Sequence, residues 1–340
     1  MSPHKLYKKE VAFILSKAIL SIDGGGMKGI ISAVVIRQLE WYIQEFTKNP
    51  DARIGEYFDL IAGTSTGAIL ASLYLCPDEN NHPKYSAEEI LNFYLTMGDD
   101  VFEKQRLFPL FGSKYTVSGF QKILKEYFGN IKISQLVKPC LLTSYDTTRR
   151  SARFFNSVSA LHDQTRDFPI RELVLASCSA PTYFPPACLD SPDCPGCYVD
   201  GGVVANNPAL CAMIETLKME DCSNIRDIHI LSIGNIENYT SYKYKDVKKW
   251  GLLEWAIPIF CIFKDSNEQT VHYQLQTLYD SIQMPGNYLR IAGSSNGKIP
   301  AMDDISTNAA QYFLLTGRKL IQTYQQRMIE FAKWLISRKD

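Results

Sequence analysis

No run of about 20 apolar residues occurs in the chain, so no segment is expected to cross a bilayer as a helix. The longest apolar stretch, Trp250–Phe263, is broken by Glu254 and Pro258 and suits a buried or interfacial segment. Net charge is missing too: 36 Lys and Arg balance 36 Asp and Glu. A neutral chain has no general field for holding a polyanion, so a nucleic acid polymer is not expected as a partner. Internal repeats, low-complexity tracts and Gly-, Ser- or Pro-rich linkers are all absent, so nothing divides the chain into separate folding units. An export signal is not legible either. Lys5, Lys8 and Lys9 precede Val11–Leu15, but Lys17 interrupts the apolar run and no small-residue cleavage site follows. The nine cysteines are scattered and odd in number, unlike a disulfide scaffold, and point to a reducing, cytoplasmic setting. Cys194-Pro195-Gly196-Cys197, with Cys188 nearby, offers half of a zinc site. No second pair at zinc spacing accompanies it, so a plain loop and no metal are expected.

Hydrophobic residues make up 46% of the chain and charged residues 21%, enough for a sizeable core. Ala18–Ile22 reads as a buried strand running into Asp23 and three glycines. Ile30–Phe46 carries apolar residues at helical spacing. A second buried strand, Tyr57–Ala62, leads through Gly63–Gly67 into a helix over Ala68–Leu75. Helices are also predicted over Ala87–Thr96, Phe120–Phe128, Pro169–Ser179, Pro208 to about Met219, and Ser306 to about Arg338. Further strands are predicted at Pro139–Tyr145, Ala152–Asn156 and Ile228–Ile233, with Ala180–Gly202 a loop around a short strand at Tyr198–Val199. Strands alternating with helices imply an α/β domain whose mostly parallel sheet is covered on both faces.

Gly63-Thr64-Ser65-Thr66-Gly67 fits G-x-S-x-G, between a predicted strand and a predicted helix. A serine hydroxyl is a poor nucleophile unless exposed and deprotonated during attack. A sharp strand-to-helix turn lifts it clear of the sheet, and small flanking residues allow that turn. Asp23-Gly24-Gly25-Gly26-Met27-Lys28-Gly29 contains the spacing of a dinucleotide loop, but no acid stands at the end of a second strand about 20 residues on. Its glycine amides could instead meet on one oxygen as an oxyanion hole, or the stretch could be a tight turn without a ligand. The five histidines (His4, His82, His162, His229 and His272) give no obvious catalytic base, since His229 and His272 read as packing residues. Asp200-Gly201-Gly202 offers a carboxylate that could take the serine proton directly, or a solvated turn.

Together these residues resemble the patatin-like phospholipase family, whose pattern is a D-G-G-G-x-[KR]-G loop, a G-x-S-x-G elbow and a D-G-[AG] turn in that order. The resemblance extends to Ala176–Pro181, Asn206-Asn207-Pro208 and Asn287–Ile291, and so spans roughly residues 17–292. It implies a three-layer α/β/α fold, with a patatin-like domain over 10–292 and a C-terminal helical extension over 293–340 packed on it. It implies a Ser65–Asp200 dyad, an oxyanion hole from the amides of Gly24, Gly25 and Gly26, and no cofactor. Lys28 takes the family's basic position and is expected to orient the glycine loop, with attraction of a phosphate as the alternative, and the Thr66 amide is a further donor by analogy with other elbow enzymes. A phospholipid or lysophospholipid is the expected substrate, met in transient contact at a membrane surface. Phe102–Phe111 and Trp250–Phe263 are candidates for a lid or a lipid-facing edge, with core or dimer packing as the plainer alternative, and a homo-oligomer is admitted. A lipase gated by a small nucleotide, as in bacterial antiviral defence, and a non-catalytic storage or binding protein on the same fold are the competing readings.

Overall fold

The apolar run that ends at Asp23 becomes β1 (Lys17–Ile22), and its alternation sets the layers. Ala18, Leu20 and Ile22 enter one buried cluster and Ile19 another, because successive strand residues point to opposite faces. The computed structural model describes residues 16–103, 112–189, 196–222, 224–238, 242–295 and 297–339. Cys194 and most of Phe102–Phe111 therefore lie outside the described residues.

After β1 come α1 (Gly29–Thr47), β2 (Leu60–Gly63), α2 (Thr66–Leu75), α3 (Ala87–Thr96), α4 (Gly98–Val101), α5 (Ser118–Phe128), β3 (Cys140–Asp146) and β4 (Ser151–Asn156). They are followed by α6 (Ser157–His162), α7 (Ile170–Cys178), β5 (Ala187–Leu189), β6 (Gly196–Asp200), α8 (Gly202–Ala205) and α9 (Ala209–Thr216). The last elements are β7 (Ile228–Asn238), α10 (Tyr244–Val247), α11 (Leu252–Ser281), β8 (Tyr288–Ser295) and α12 (Thr307–Ser337). Among the described residues the strands form one eight-stranded sheet in the order β5-β6-β3-β2-β1-β7-β8, with β4 paired to β3. The run from β3 through β2, β1 and β7 to β8 is parallel, while β4, β5 and β6 pair antiparallel. One face is covered by α1, α2, α7 and α12 and the other by α9 and α11, which gives the expected three-layer α/β/α arrangement.

Several boundaries differ from the sequence reading. The helix after the elbow starts at Thr66, not Ala68, because the turn at Ser65 leads straight into it. The stretch read as a loop around Tyr198–Val199 holds a hairpin, β5 with β6, and the turn of α8. Trp250–Phe263 is chiefly the first half of the 30-residue α11, which continues through Pro258. β8 runs on to Ser295, and α12 lies so close to α1 that a Cβ on Gly317 would meet Val34 at 2.8 Å. Ser306 starts α12 by accepting a hydrogen bond from the Ala309 amide through its Oγ, the usual N-cap arrangement.

Candidate active site

β3 brings the two reactive ends of the chain together. Along one edge it pairs with β4 from Leu141 to Asp146. Its other edge takes β2 over the first half, with Gly63 opposite Leu142, and β6 over the second, with Asp200 opposite Ser144. β2 and β6 thus end facing each other on the same strand edge, and Ser65 follows one end while Asp200 closes the other. Between them Thr143 Oγ1 lies 2.7 Å from Thr64 Oγ1, and Thr64 Oγ1 also donates to the Ala205 carbonyl at 2.6 Å.

Ser65 sits at φ 54° and ψ −120°, in a left-handed region rare for a residue with a Cβ. Such strain persists only where its surroundings fix it, and it concentrates at functional sites. Here the fixing comes from crossing backbones: a Cβ on Gly63 would lie 2.1 Å from the Gly67 carbonyl oxygen, and one on Gly67 would lie 2.1 Å from that of Ile22. The Ser65 amide donates to Ser177 Oγ at 2.9 Å, and its hydroxyl donates to Asp200 Oδ2 at 2.6 Å. Asp200 is buried, and its Oδ1 accepts the Gly202 amide at 2.6 Å. Burial raises the pKa of Asp200 to about 6, against the lowering effect of the Ser65 and Gly202 hydrogen bonds and of the Lys264 charge. The Cys178 thiol next to the pair is pushed well above its ordinary value by burial and then by the Asp200 charge.

The glycine loop lies against Ser65, since a Cβ on Gly24 would reach Ser65 Cβ at 3.2 Å. Here the expectation for Gly24 needs correcting. Its amide donates to the Asn206 carbonyl at 3.1 Å and is not available to an incoming oxygen. The amides of Gly25 and Gly26, and that of Thr66 at the start of α2, have no acceptor among the described residues. The Gly24 carbonyl is held as well, by the side-chain amides of Asn206 at 3.1 Å and Asn235 at 2.8 Å. Asn206 in turn is anchored by α11: its amide donates to Asn267 Oδ1 at 2.9 Å and its side chain bonds the buried Glu268. Lys264, one helical turn earlier, pairs with Glu268 at 2.8 Å. The ammonium of Lys28, half-buried, makes no hydrogen bond or ion pair among the described residues, so it does not orient the loop by direct contact. Burial, and then the neighbouring Lys264, lower its pKa.

The start of the loop is tied to the edge strand. Arg290 on β8 grips Asp23 with two hydrogen bonds of 2.8 and 2.5 Å and donates to Ser232 Oγ at 2.8 Å, all of it buried. This fork geometry suits an ionised carboxylate. Burial pushes the Asp23 pKa upward and the guanidinium opposes it. Arg290, Asn235 and the α11 residues were not singled out in the sequence as site residues. The only local signal was the segment Asn287–Ile291.

Ser65, Asp200, Gly25, Gly26 and Thr66 line a pocket that is partly open to solvent. Its walls are mainly apolar: Ile69, Met97, Val101, Phe102, Phe120 and Phe184. Lys264 is the one cationic side chain in the lining among the described residues. His229 stacks on Trp334 with ring centroids 3.8 Å apart, and His272 Nδ1 lies 3.2 Å from the Tyr288 hydroxyl, both as packing residues. Cys188 and Cys197 face each other across β5 and β6 as free thiols. Among the described residues no group of three or more His, Cys, Asp or Glu side chains could hold a metal ion, and no helix is long and apolar enough to cross a membrane.

The family model described as "Patatin-like phospholipase" matches residues 20–213, a stretch that contains the glycine loop, the elbow and Asp200. Patatin-like protein 2 of Oryza sativa subsp. japonica is 30% identical, over 91% of this chain and 85% of its own. Patatin-2-Kuras 3 of Solanum tuberosum is 30% identical, over 94% of this chain and 90% of its own. A relative named "Probable inactive patatin-3-Kuras 1", also from Solanum tuberosum, is again 30% identical, over 94% and 93%. Among solved structures, VipD from Legionella pneumophila superposes with a TM-score of 0.38 at 11% identity, covering 91% of this chain and 67% of that one, too remote a likeness to argue from. With more than half the chain inside one family model and relatives matched nearly end to end, this protein belongs to the patatin-like phospholipase family.

Proposed function

We propose that this protein is a lipid acyl hydrolase of the phospholipase A or lysophospholipase type, with Ser65 as nucleophile and Asp200 as its base. The reading rests on one observation: the Ser65 hydroxyl donates to Asp200 Oδ2 at 2.6 Å on the wall of an apolar pocket. A carboxylate at that distance can take the hydroxyl proton as the oxygen attacks an acyl carbonyl. The negative oxygen that forms is held by the unengaged amides of Gly25, Gly26 and Thr66, fixed in place before the substrate arrives. The alcohol or lysolipid then leaves with that proton, handed on by Asp200, and the freed carboxylate deprotonates a water that hydrolyses the acyl-enzyme, returning the proton to Ser65. The apolar lining supplies a slot for the acyl chain.

Family membership alone does not carry this activity, since one close relative is named as probably inactive. The test replaces Ser65→Ala and Asp200→Asn separately and assays lysophosphatidylcholine and p-nitrophenyl esters. Loss of turnover by about a thousandfold or more in both, with unchanged folding, is expected. Near wild-type turnover in either removes that residue from the mechanism.

A further inference from the structure

The second half of α11 is an ordinary amphipathic helix, with Val271, Leu275 and Tyr279 buried at intervals of four. Its first half reverses the pattern. Leu252, Ile259 and Phe263 are 92%, 36% and 63% exposed, and their spacing of seven and four sets them in one stripe. The segment before it is similar in character. Tyr244 is 80% exposed, and the rings of Tyr242, Trp250 and Trp255 form a chain with centroids 5.2 and 5.0 Å apart that ties this segment to the helix. Between them stand Lys243, Lys245, Lys248 and Lys249, all exposed. None forms an ion pair among the described residues. Two carboxylates share the stretch, Asp246 and Glu254, and Glu254 is engaged in accepting the Gly251 amide at 2.9 Å.

We propose that residues 242–263 dock this protein onto a membrane surface bearing anionic lipid headgroups. The proposal deepens the lipid-hydrolase reading and rests on it for its purpose. Three features match the three zones of a bilayer surface. Tyr and Trp rings favour the headgroup level, lysines are drawn to anionic lipids, and an exposed apolar stripe can enter the acyl boundary. A second copy of the chain would also cover the stripe. A symmetric contact, however, would bring two sets of unpaired lysines together and repel. The location is apt as well. Lys264 follows Phe263 directly and lines the pocket of Ser65, so the docking face is next in the chain to the pocket wall.

The test uses full-length Ser65→Ala protein, which leaves the vesicles intact, in co-sedimentation with vesicles of phosphatidylcholine alone or mixed with phosphatidylglycerol. The mixed vesicles should bind at least about tenfold more protein, with the excess removed by salt, since each lysine near an anionic surface contributes a factor of about five. Replacing all four lysines by glutamine should abolish the preference, and L252E/F263E should abolish binding to both vesicles. In the Ser65 background both variants should keep wild-type turnover of a soluble short-chain p-nitrophenyl ester. Vesicle binding that ignores phosphatidylglycerol, or that survives both variants, overturns the proposal. So does an L252E/F263E protein that loses a solution dimer in sedimentation velocity while still binding vesicles, which assigns the stripe to a second copy. Docking without any ester or lysolipid cleavage sinks the hydrolase reading and leaves the docking standing. Cleavage of soluble ester without docking does the reverse.

Discussion

Asn206 holds Gly24 at both ends, its carbonyl accepting the Gly24 amide at 3.1 Å and its side-chain amide donating to the Gly24 carbonyl at 3.1 Å. The loop that faces Ser65 is thereby fixed by a residue from the other side of the pocket. Asn206→Ala removes the side-chain bond and leaves Glu268 short of a donor. A loss of about 1–3 kcal/mol in stability is expected from the unmet buried acceptor. Because the bond acts on loop position, kcat should fall about tenfold or more with KM little changed. Steady-state kinetics beside a urea unfolding curve checks both.

The pH dependence follows from Asp200. On the proposed mechanism its carboxylate is the active form, and burial raises its pKa to about 6. Lowering the pH through that value protonates the base, so kcat/KM should decline with unit slope below about pH 6 and level off above it. A pH–rate profile on a soluble ester reads this directly. A midpoint near that of an unperturbed carboxyl, about 4, would mean that burial does not raise the Asp200 carboxyl, and a profile with no acid limb would remove Asp200 as the base.

Arg290 and Asp23 are a buried pair in which each partner satisfies the other. Asp23→Leu leaves the guanidinium buried without its counter-charge and should cost about 3–5 kcal/mol. The double replacement of Asp23→Leu and Arg290→Met should cost less than the two single changes added together. Urea denaturation of all four proteins completes the cycle, and strict additivity would argue against a direct coupling.

Gly67→Ala should not give folded protein, because its Cβ would lie 2.1 Å from the Ile22 carbonyl oxygen and backbone cannot yield as a side-chain tip can. Ala at Gly286, where nothing lies within 4 Å, should be tolerated and serves as the control. Soluble expression and circular dichroism distinguish the two.

What could be read in the sequence was local. Ser65 stood out because a strand, two glycines and a helix lie within a few residues of it, and Asp200 because its turn chemistry is compact. The commitment of the Gly24 amide could not be seen, because its acceptor, Asn206, lies far along the chain and meets it only through the fold. Arg290 was legible only as a member of the segment Asn287–Ile291, and its pairing with Asp23 was hidden for the same reason, since the two lie far apart in the chain. The length of α11 was masked by its own reversal, apolar outward at one end and inward at the other, with Pro258 between them. The hairpin of β5 and β6 escaped because a three-residue strand leaves no periodicity to find.

The edge of β3 that carries both β2 and β6 has a consequence for control of the protein. A single strand gauges the spacing of the hydroxyl and the carboxylate. Switching such a pair on or off by sliding its halves apart would mean tearing the sheet. On the proposed reading, any governor of turnover therefore has to work at the doorway, by admitting or refusing the lipid, rather than in the workings behind it.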